Sequence, residues 1–427
     1  MKKVMLKKTL GLAITLASSQ VFASGFALNE QSISGMGTGF AGRSSSAEDA
    51  STVYGNPAGM VRLDGQQITG GLAVIDATSN ISQASGSSSG SNKGNMVPLT
   101  GVPFAFYTQK LNEQWAAGFG LYAPFGMVAD YEKGFQGKAF GSKSEVKVIT
   151  LQPTVSYAFN DKLSIGFGPT INRVSGTLES DINLPNPGLA SNNIKIKGDD
   201  TALGFNAGVL LQATDSTRVG LTYHSQVKYK LKGHTQVTKG ANVHDALLSS
   251  GRYDASLKID TPESWDFSVT QDVNADWKLY AGATWTRWSR LKDITVKNEG
   301  VSYSDGAYAQ ALLSTIKEEQ NWHDTWAYAV GTSYRLSKQW VLRTGLTLDQ
   351  SPTNNTDRSP RIPTGDRTIF SLGAGYDVLP NMTVDVAYAY LKEEPVKVNR
   401  TNGLGQHYKA KYENSANGFG LGVTYRF

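Results

Sequence analysis

The sequence predicts an all-β protein: a transmembrane antiparallel β-barrel of about fourteen strands with an N-terminal hatch, or plug, in its lumen. Three observations carry that expectation. A removable leader opens the chain, a glycine-rich stretch too polar to fold alone follows it, and the remainder alternates short turns with long connections around strand-like runs of period two. The composition agrees, with 45 glycines, 10% aromatic residues and a mean hydropathy of −0.30. After the leader no run reaches the ~20 apolar residues of a membrane-spanning helix. An exported chain that crosses a bilayer without such a helix must close a sheet on itself, because backbone polar groups in hydrocarbon have to pair internally.

Residues 1–23 have the form of a secretory signal peptide. Lys2, Lys3, Lys7 and Lys8 supply its positive region, residues 10–17 a short apolar core, and Val21-Phe22-Ala23 the cleavage site before Ser24. The leader's four lysines account for four of the five net positive charges, leaving +1 for the mature chain. The high isoelectric point therefore gives no reason to expect a nucleic-acid partner. Without cysteine, no disulfide holds this exported protein together, so a continuous hydrogen-bonded sheet has to.

Residues 24–65 form the expected plug, closing in Gly55-Asn56-Pro57-Ala58-Gly59, and residues 66–427 the barrel. Short turns rich in Asn, Asp, Ser and Pro lie at 111–113, 160–162, 214–216, 274–276, 337–339 and 379–381. Trp115, Trp277 and Trp340 follow closely, where an interfacial aromatic girdle belongs. Long polar connections lie between them at 84–95, 181–193, 293–320, 350–365 and 393–406. Alternation is clearest in the last strand, where Phe419, Leu421, Val423, Tyr425 and Phe427 share one face while Gly420, Gly422, Thr424 and Arg426 share the other. One strand departs from the rule. It starts at Trp115 and runs into Ala123-Pro124-Phe125-Gly126, where proline either kinks a wall strand or ends it and begins a loop.

Motifs that suggest chemistry lack their context. Gly37-Thr38-Gly39-Phe40-Ala41-Gly42 fits a dinucleotide fingerprint but has no βαβ unit around it. Gly86-Ser87-Ser88-Ser89-Gly90 fits an esterase elbow but sits in a Ser/Gly loop. The five histidines show no metal spacing, although His224, His234 and His244 fall on or near one hairpin. No cofactor, no metal and no enzymatic activity are expected, and an outer-membrane lipid hydrolase is the less favoured alternative.

The chain resembles the FadL family of outer-membrane long-chain fatty-acid transporters from end to end. The resemblance rests on Ser24-Gly25-Phe26-Ala27-Leu28-Asn29-Glu30, Asn56-Pro57-Ala58, Thr261-Pro262-Glu263-Ser264-Trp265-Asp266, Thr284-Trp285-Thr286-Arg287-Trp288-Ser289, and Arg361-Ile362-Pro363 followed by Asp366-Arg367. It implies a 14-stranded barrel whose third strand kinks to leave a lateral opening, with passive transport of fatty acids or related amphipathic hydrophobes. A hydrocarbon or aromatic channel, or an exporter of oxygenated fatty acids, is the alternative. By the same resemblance, Phe26 and Leu28 contact ligand and Arg173 meets its carboxylate, with His323 standing where the family places a lysine. Asn56, Pro57 and Ala58 face the kink, and Gly118, Gly120, Pro124, Phe125 and Gly126 belong to the gating strand. The expected partners are outer-membrane lipids, lipopolysaccharide and the barrel assembly machinery, around a monomer.

Overall fold

The structure is a computed structural model that describes residues 25–185 and 188–427, so the proposed leader and Ser24 lie outside the described residues. Fourteen antiparallel strands close a barrel. They are β1 (Gln66–Gly86), β2 (Thr100–Lys110), β3 (Trp115–Asp130), β4 (Lys143–Ala158), β5 (Leu163–Ile182) and β6 (Asn192–Gln212). Four interrupted strands follow: β7 (Thr217–His224, resuming as Val227–Thr238), β8 (Gly251–Thr261, resuming as Ser264–Asp272), β9 (Trp277–Thr286, then Asp293–Asn298) and β10 (Thr315–Glu319, then Thr325–Arg335). The ring is completed by β11 (Trp340–Asp349), β12 (Arg367–Leu379), β13 (Met382–Glu393, then Val396–Thr401) and β14 (His407–Arg426). Closure is the antiparallel β1–β14 ladder, with Leu72 opposite Leu421. The six short turns all join strands as expected. The long connections are shorter than the sequence suggests, because β5 and β6 stay paired out to Ile182 and Asn192.

Alternation decides which residues face the membrane. In β14, Phe419 and Leu421 are 53% and 55% exposed, whereas Gly420 and Gly422 point inward beneath Ile33. Near the short turns, cross-strand pairs Trp115–Tyr157 (4.8 Å), Trp277–Tyr334 (5.8 Å) and Trp340–Tyr376 (4.6 Å) form one aromatic belt. Toward the long loops, Tyr223 and Trp265 (4.7 Å apart) belong to the other. The interruptions in β7 to β10 lie at one height just past this second belt, since His224, Ser264, Thr286 and Thr325 pair in sequence across the four strands.

Residues 25–65 lie inside the ring. They carry two short helices, α1 (Ile33–Gly37) and α2 (Thr52–Gly55), and a 3-10 helix, Pro57–Arg62. Wall side chains hold this segment through its backbone. Gln152 Nε2 donates to Val53 O (2.8 Å), Thr222 Oγ1 to Gly55 O (2.8 Å), Ser164 Oγ to Ala58 O (2.8 Å) and Thr347 Oγ1 to Gly39 O (2.8 Å). Inward-facing glycines make room for it. A Cβ at Gly208 would stand 1.9 Å from Asn56 Oδ1, and one at Gly166 would stand 2.3 Å from the Pro57 carbonyl carbon.

Gly208→Ala is expected to leave the barrel assembled and unseat the hatch, by about 1–3 kcal/mol of overpacking. Protease sensitivity of residues 40–60 in the folded barrel is the measurement. Wild-type protection in the variant would show that hatch seating does not depend on this notch.

Candidate ligand-binding site

The site begins at Gly25, whose φ of +65° suits glycine and whose Cβ would lie 2.7 Å from Trp288 and 2.8 Å from Trp322. That close approach places Phe26 among aromatic rings, 4.9 Å from Trp288, 5.7 Å from Phe125 and 5.9 Å from Trp322. Above the cluster lies an apolar cavity lined by Phe26, Val174, Leu231, Leu257, Ile294 and Ile362 among others.

Connection 350–366 folds into the barrel mouth and brings a buried cation to this cavity. Arg361 is 8% exposed, and its Nε donates to Glu318 Oε2 at 2.9 Å. Its Nη1 donates to Ser144 Oγ (2.9 Å) and to the carbonyls of Lys143 (3.1 Å) and Glu179 (3.2 Å). Nη2 has no partner among the described residues. Arg358 anchors the same connection from within, through Thr353 Oγ1 (3.0 Å) and Thr364 O (3.1 Å).

Below the aromatic cluster a second chamber is lined by Leu28, Tyr122, Pro124, Phe125, Asn172 and His224 among others. This chamber abuts a break in the wall. The β2–β3 ladder stops at Ala105 opposite Leu121, and β3 shifts register against β4 between Tyr122 and Phe125. Strand β3 continues through Pro124, so the proline kinks the wall instead of ending the strand. The freed edge of β3 pairs with the hatch instead of with β2. Leu28 N donates to Pro124 O (2.8 Å), Gly126 N to Phe26 O (2.9 Å) and Gln31 Nε2 to Ala123 O (2.7 Å). On the other side of the break, β2 residues 100–104 pair only with β1, and Pro103 sits where a missing N–H is tolerated.

The other expected site residues are placed as follows. Phe26 lines the apolar cavity, while Leu28 lines the lower chamber. Pro124, Phe125 and Gly126 are at the break. Gly118 and Gly120 are in the regular β2–β3 ladder; Gly118 faces Met60 and Val53, where a Cβ would meet Met60 Sδ at 2.5 Å. Asn56, Pro57 and Ala58 do not face the kink. They sit against β5 and β6, where Asn56 Nδ2 donates to Val209 O (3.0 Å) and Ser44 O (2.7 Å), because Gly166 and Gly208 open the notch there. Arg173 is not in the cavity. Period two turns Asn172 inward and Arg173 outward, where it pairs with Asp199 at 2.5 Å. His323 is exposed, and it is the neighbouring Trp322 that reaches the cluster. The three histidines do not converge: His224 stacks on Tyr54 inside (4.7 Å), whereas His234 is half-buried beside Arg252.

Trp288, Trp322, Arg361 and Glu318 were not singled out as site residues from the sequence. Trp288 and Arg361 lie inside segments that carry the family resemblance, and Trp322 adjoins His323, so the segments were visible while the facing residue was not. Glu30, in the hatch, is 1% exposed, and its carboxylate accepts from Asn29 N at 2.9 Å. Burial pushes its pKa up to about 7, against the pull of backbone hydrogen bonds and of Arg43 and Arg367.

Comparison with known proteins agrees with this architecture. The family described as "Outer membrane protein transport protein (OMPP1/FadL/TodX)" matches residues 14–427. A long-chain fatty acid transport protein of Escherichia coli O6:H1 is 28% identical, over 100% of this chain and 99% of that protein. Outer membrane protein P1 of Haemophilus influenzae is 27% identical, over 98% of each. Among solved structures, a FadL homologue of Pseudomonas aeruginosa superposes with a TM-score of 0.82 at 28% identity, covering 95% of this chain and 100% of that one. The Ralstonia pickettii toluene transporter TbuX shares the fold at a TM-score of 0.66 and 18% identity, covering 88% and 94%.

Glu30 makes hatch docking pH-dependent. A carboxyl that titrates near 7 when docked and near 4.5 when released binds more protons docked. Its contribution is therefore fully present below 4.5 and is lost as pH rises through 7. Protease protection of the hatch is expected to fall between about pH 5 and pH 8 in the wild type and to stay flat in Glu30→Gln. Identical profiles would remove Glu30 from the account.

Proposed function

The chain belongs to the OMPP1/FadL/TodX family of outer-membrane transport proteins, and from that premise we propose that it carries long-chain fatty acids, or closely similar amphipathic hydrophobes, passively across the outer membrane. The observation that carries the reading is the enclosed apolar cavity with a buried guanidinium in its wall. Each methylene buried contributes ~0.8 kcal/mol, so a sixteen-carbon tail gains roughly 12 kcal/mol before ordering costs. Arg361 Nη2 offers its unengaged N–H groups to the carboxylate and orients it. The names of the fatty-acid transport relatives support the same substrate class.

Release follows from the start of the hatch. Phe26 lines the cavity and the next residues, Ala27 and Leu28, line the chamber beside the break, while their backbone caps the freed β3 edge. Movement of residues 26–28 joins the two spaces and uncovers the break in one step, and the tail then passes into lipid without crossing an aqueous vestibule. Ligand binding drives this only as far as the ligand prefers the moved hatch.

A neutral hydrocarbon is the second reading, and it rests on Glu318. Its carboxylate already balances Arg361, so the cavity does not demand an anion. Hydrolysis has less support. Ser87 Oγ and exposed His407 Nδ1, at the start of β14, lie 2.8 Å apart, but among the described residues no carboxylate orients that histidine.

Equilibrium titration of purified protein with oleate and with a neutral alkane tests the proposal. Arg361→Gln is expected to weaken oleate binding about ten- to a hundredfold, the worth of a charged hydrogen bond, with alkane binding unchanged. No oleate binding by the wild type would sink the reading. Asn56→Ala removes three hatch hydrogen bonds and is expected to reduce oleate uptake by cells while leaving barrel assembly intact; unchanged uptake would make the plug filler.

A further inference from the structure

Past the loop-side aromatic belt, the outward face of β7, β8 and β9 carries six cations, of which Lys228 stands opposite Asp260 and Lys232 opposite Asp199 in the ladders. Lys228, Lys230 and Lys232 project outward from β7, alternating with buried Val227, Tyr229 and Leu231. Arg252 and Lys258 do the same on β8, and Lys297 on β9. None of these six forms an ion pair among the described residues, unlike most outward cations elsewhere on the long-loop half of β4 to β6: Lys147 pairs with Glu145, Arg173 with Asp199 and Lys195 with Glu179. Of the acids on or beside this face, Asp199 is held by Arg173 and Asp260 by Gln226 (2.6 Å). Asp200 accepts from the Lys230 backbone (2.7 Å), and Asp254 stands opposite His234.

The register adds an independent observation. Lys230 stands directly opposite Lys258 in the β7–β8 ladder. Like charges in that position are destabilising unless an anion lies across both.

Height narrows the anion. Lys228 lies in the strand segment past the break that follows Tyr223 of the belt, and Lys232 is four residues further, roughly 13 Å along the strand and about 10 Å along the membrane normal at a ~40° tilt. Phospholipid headgroups extend only about 5–8 Å beyond the hydrocarbon. A row of cations above that layer, facing sideways, fits phosphates borne on sugars.

We propose that this face binds the phosphate groups of the outer-leaflet glycolipid, with Lys230 and Lys258 sharing one phosphate and Lys228, Lys232, Arg252 and Lys297 serving its neighbours. Phosphate oxygens accept charge-assisted hydrogen bonds from lysine ammonium groups, and the lipid's acyl chains keep those phosphates beside the strand. The site is separate from the transport cavity, whose lining lies on the opposite face of the same strands.

The test is a titration of purified full-length protein in detergent with lipid A carrying its phosphorylated inner core, and with the same glycolipid dephosphorylated. Wild type is expected to prefer the phosphorylated form, and Lys230→Gln/Lys258→Gln to lose about tenfold in affinity for it. Thermal stability should change sign: without glycolipid the double variant melts higher than wild type, since the like-charge pair is gone, and with glycolipid it melts lower. Oleate binding stays at the wild-type level throughout. Equal affinity of wild type and variant for the phosphorylated lipid overturns the proposal, as does equal binding of the dephosphorylated form. Full competition by inorganic phosphate would mark a free-anion site, and preferential capture of polyglutamate a protein-docking face; either result also overturns it.

Discussion

The structure depends on one constraint: a sheet that forms a membrane wall cannot leave its edge groups unpaired. Strand β3 breaks that rule locally at Tyr122–Phe125, where it leaves β2, and the start of the hatch repairs the break by pairing with Pro124 and Gly126. The break in the wall and the start of the plug are therefore one feature: the plug's first residues pair with the strand edge that β2 leaves free.

The hatch is held both by burial of Ile33, Met36, Val53, Met60 and Val61 against the wall and by hydrogen bonds to its backbone. Thr222, Ser164, Gln152 and Thr347 each contact a hatch carbonyl, and glycines at 166 and 208 let the two backbones approach. The aromatic cluster of Phe26, Phe125, Trp288 and Trp322 supplies the apolar part of the seal at the point where the ligand spaces meet.

The site was legible only in part, and the misassignments share a cause. Arg173 was expected inward, yet Asn172 occupies that face; His323 was expected at the ligand, yet Trp322 is there. In a strand one position decides the side, and an interruption such as 320–324 resets the count. The buried cation came instead from the 350–366 connection. Its composition reads as an ordinary polar loop, but Arg358 and Arg361 fold it into the mouth.

The sequence by itself determined the barrel, a count of about fourteen strands and the expectation of a hatch, because period-two alternation, turn chemistry, a polar glycine-rich start and the absence of a membrane helix are local properties of the chain. Only the tertiary structure decided where Asn56-Pro57-Ala58 rests, which guanidinium reaches the cavity, and that the hatch pairs with the edge of β3. Each of those depends on contacts between residues far apart in the chain, such as Leu28 with Pro124 and Arg361 with Ser144. No local pattern encodes them.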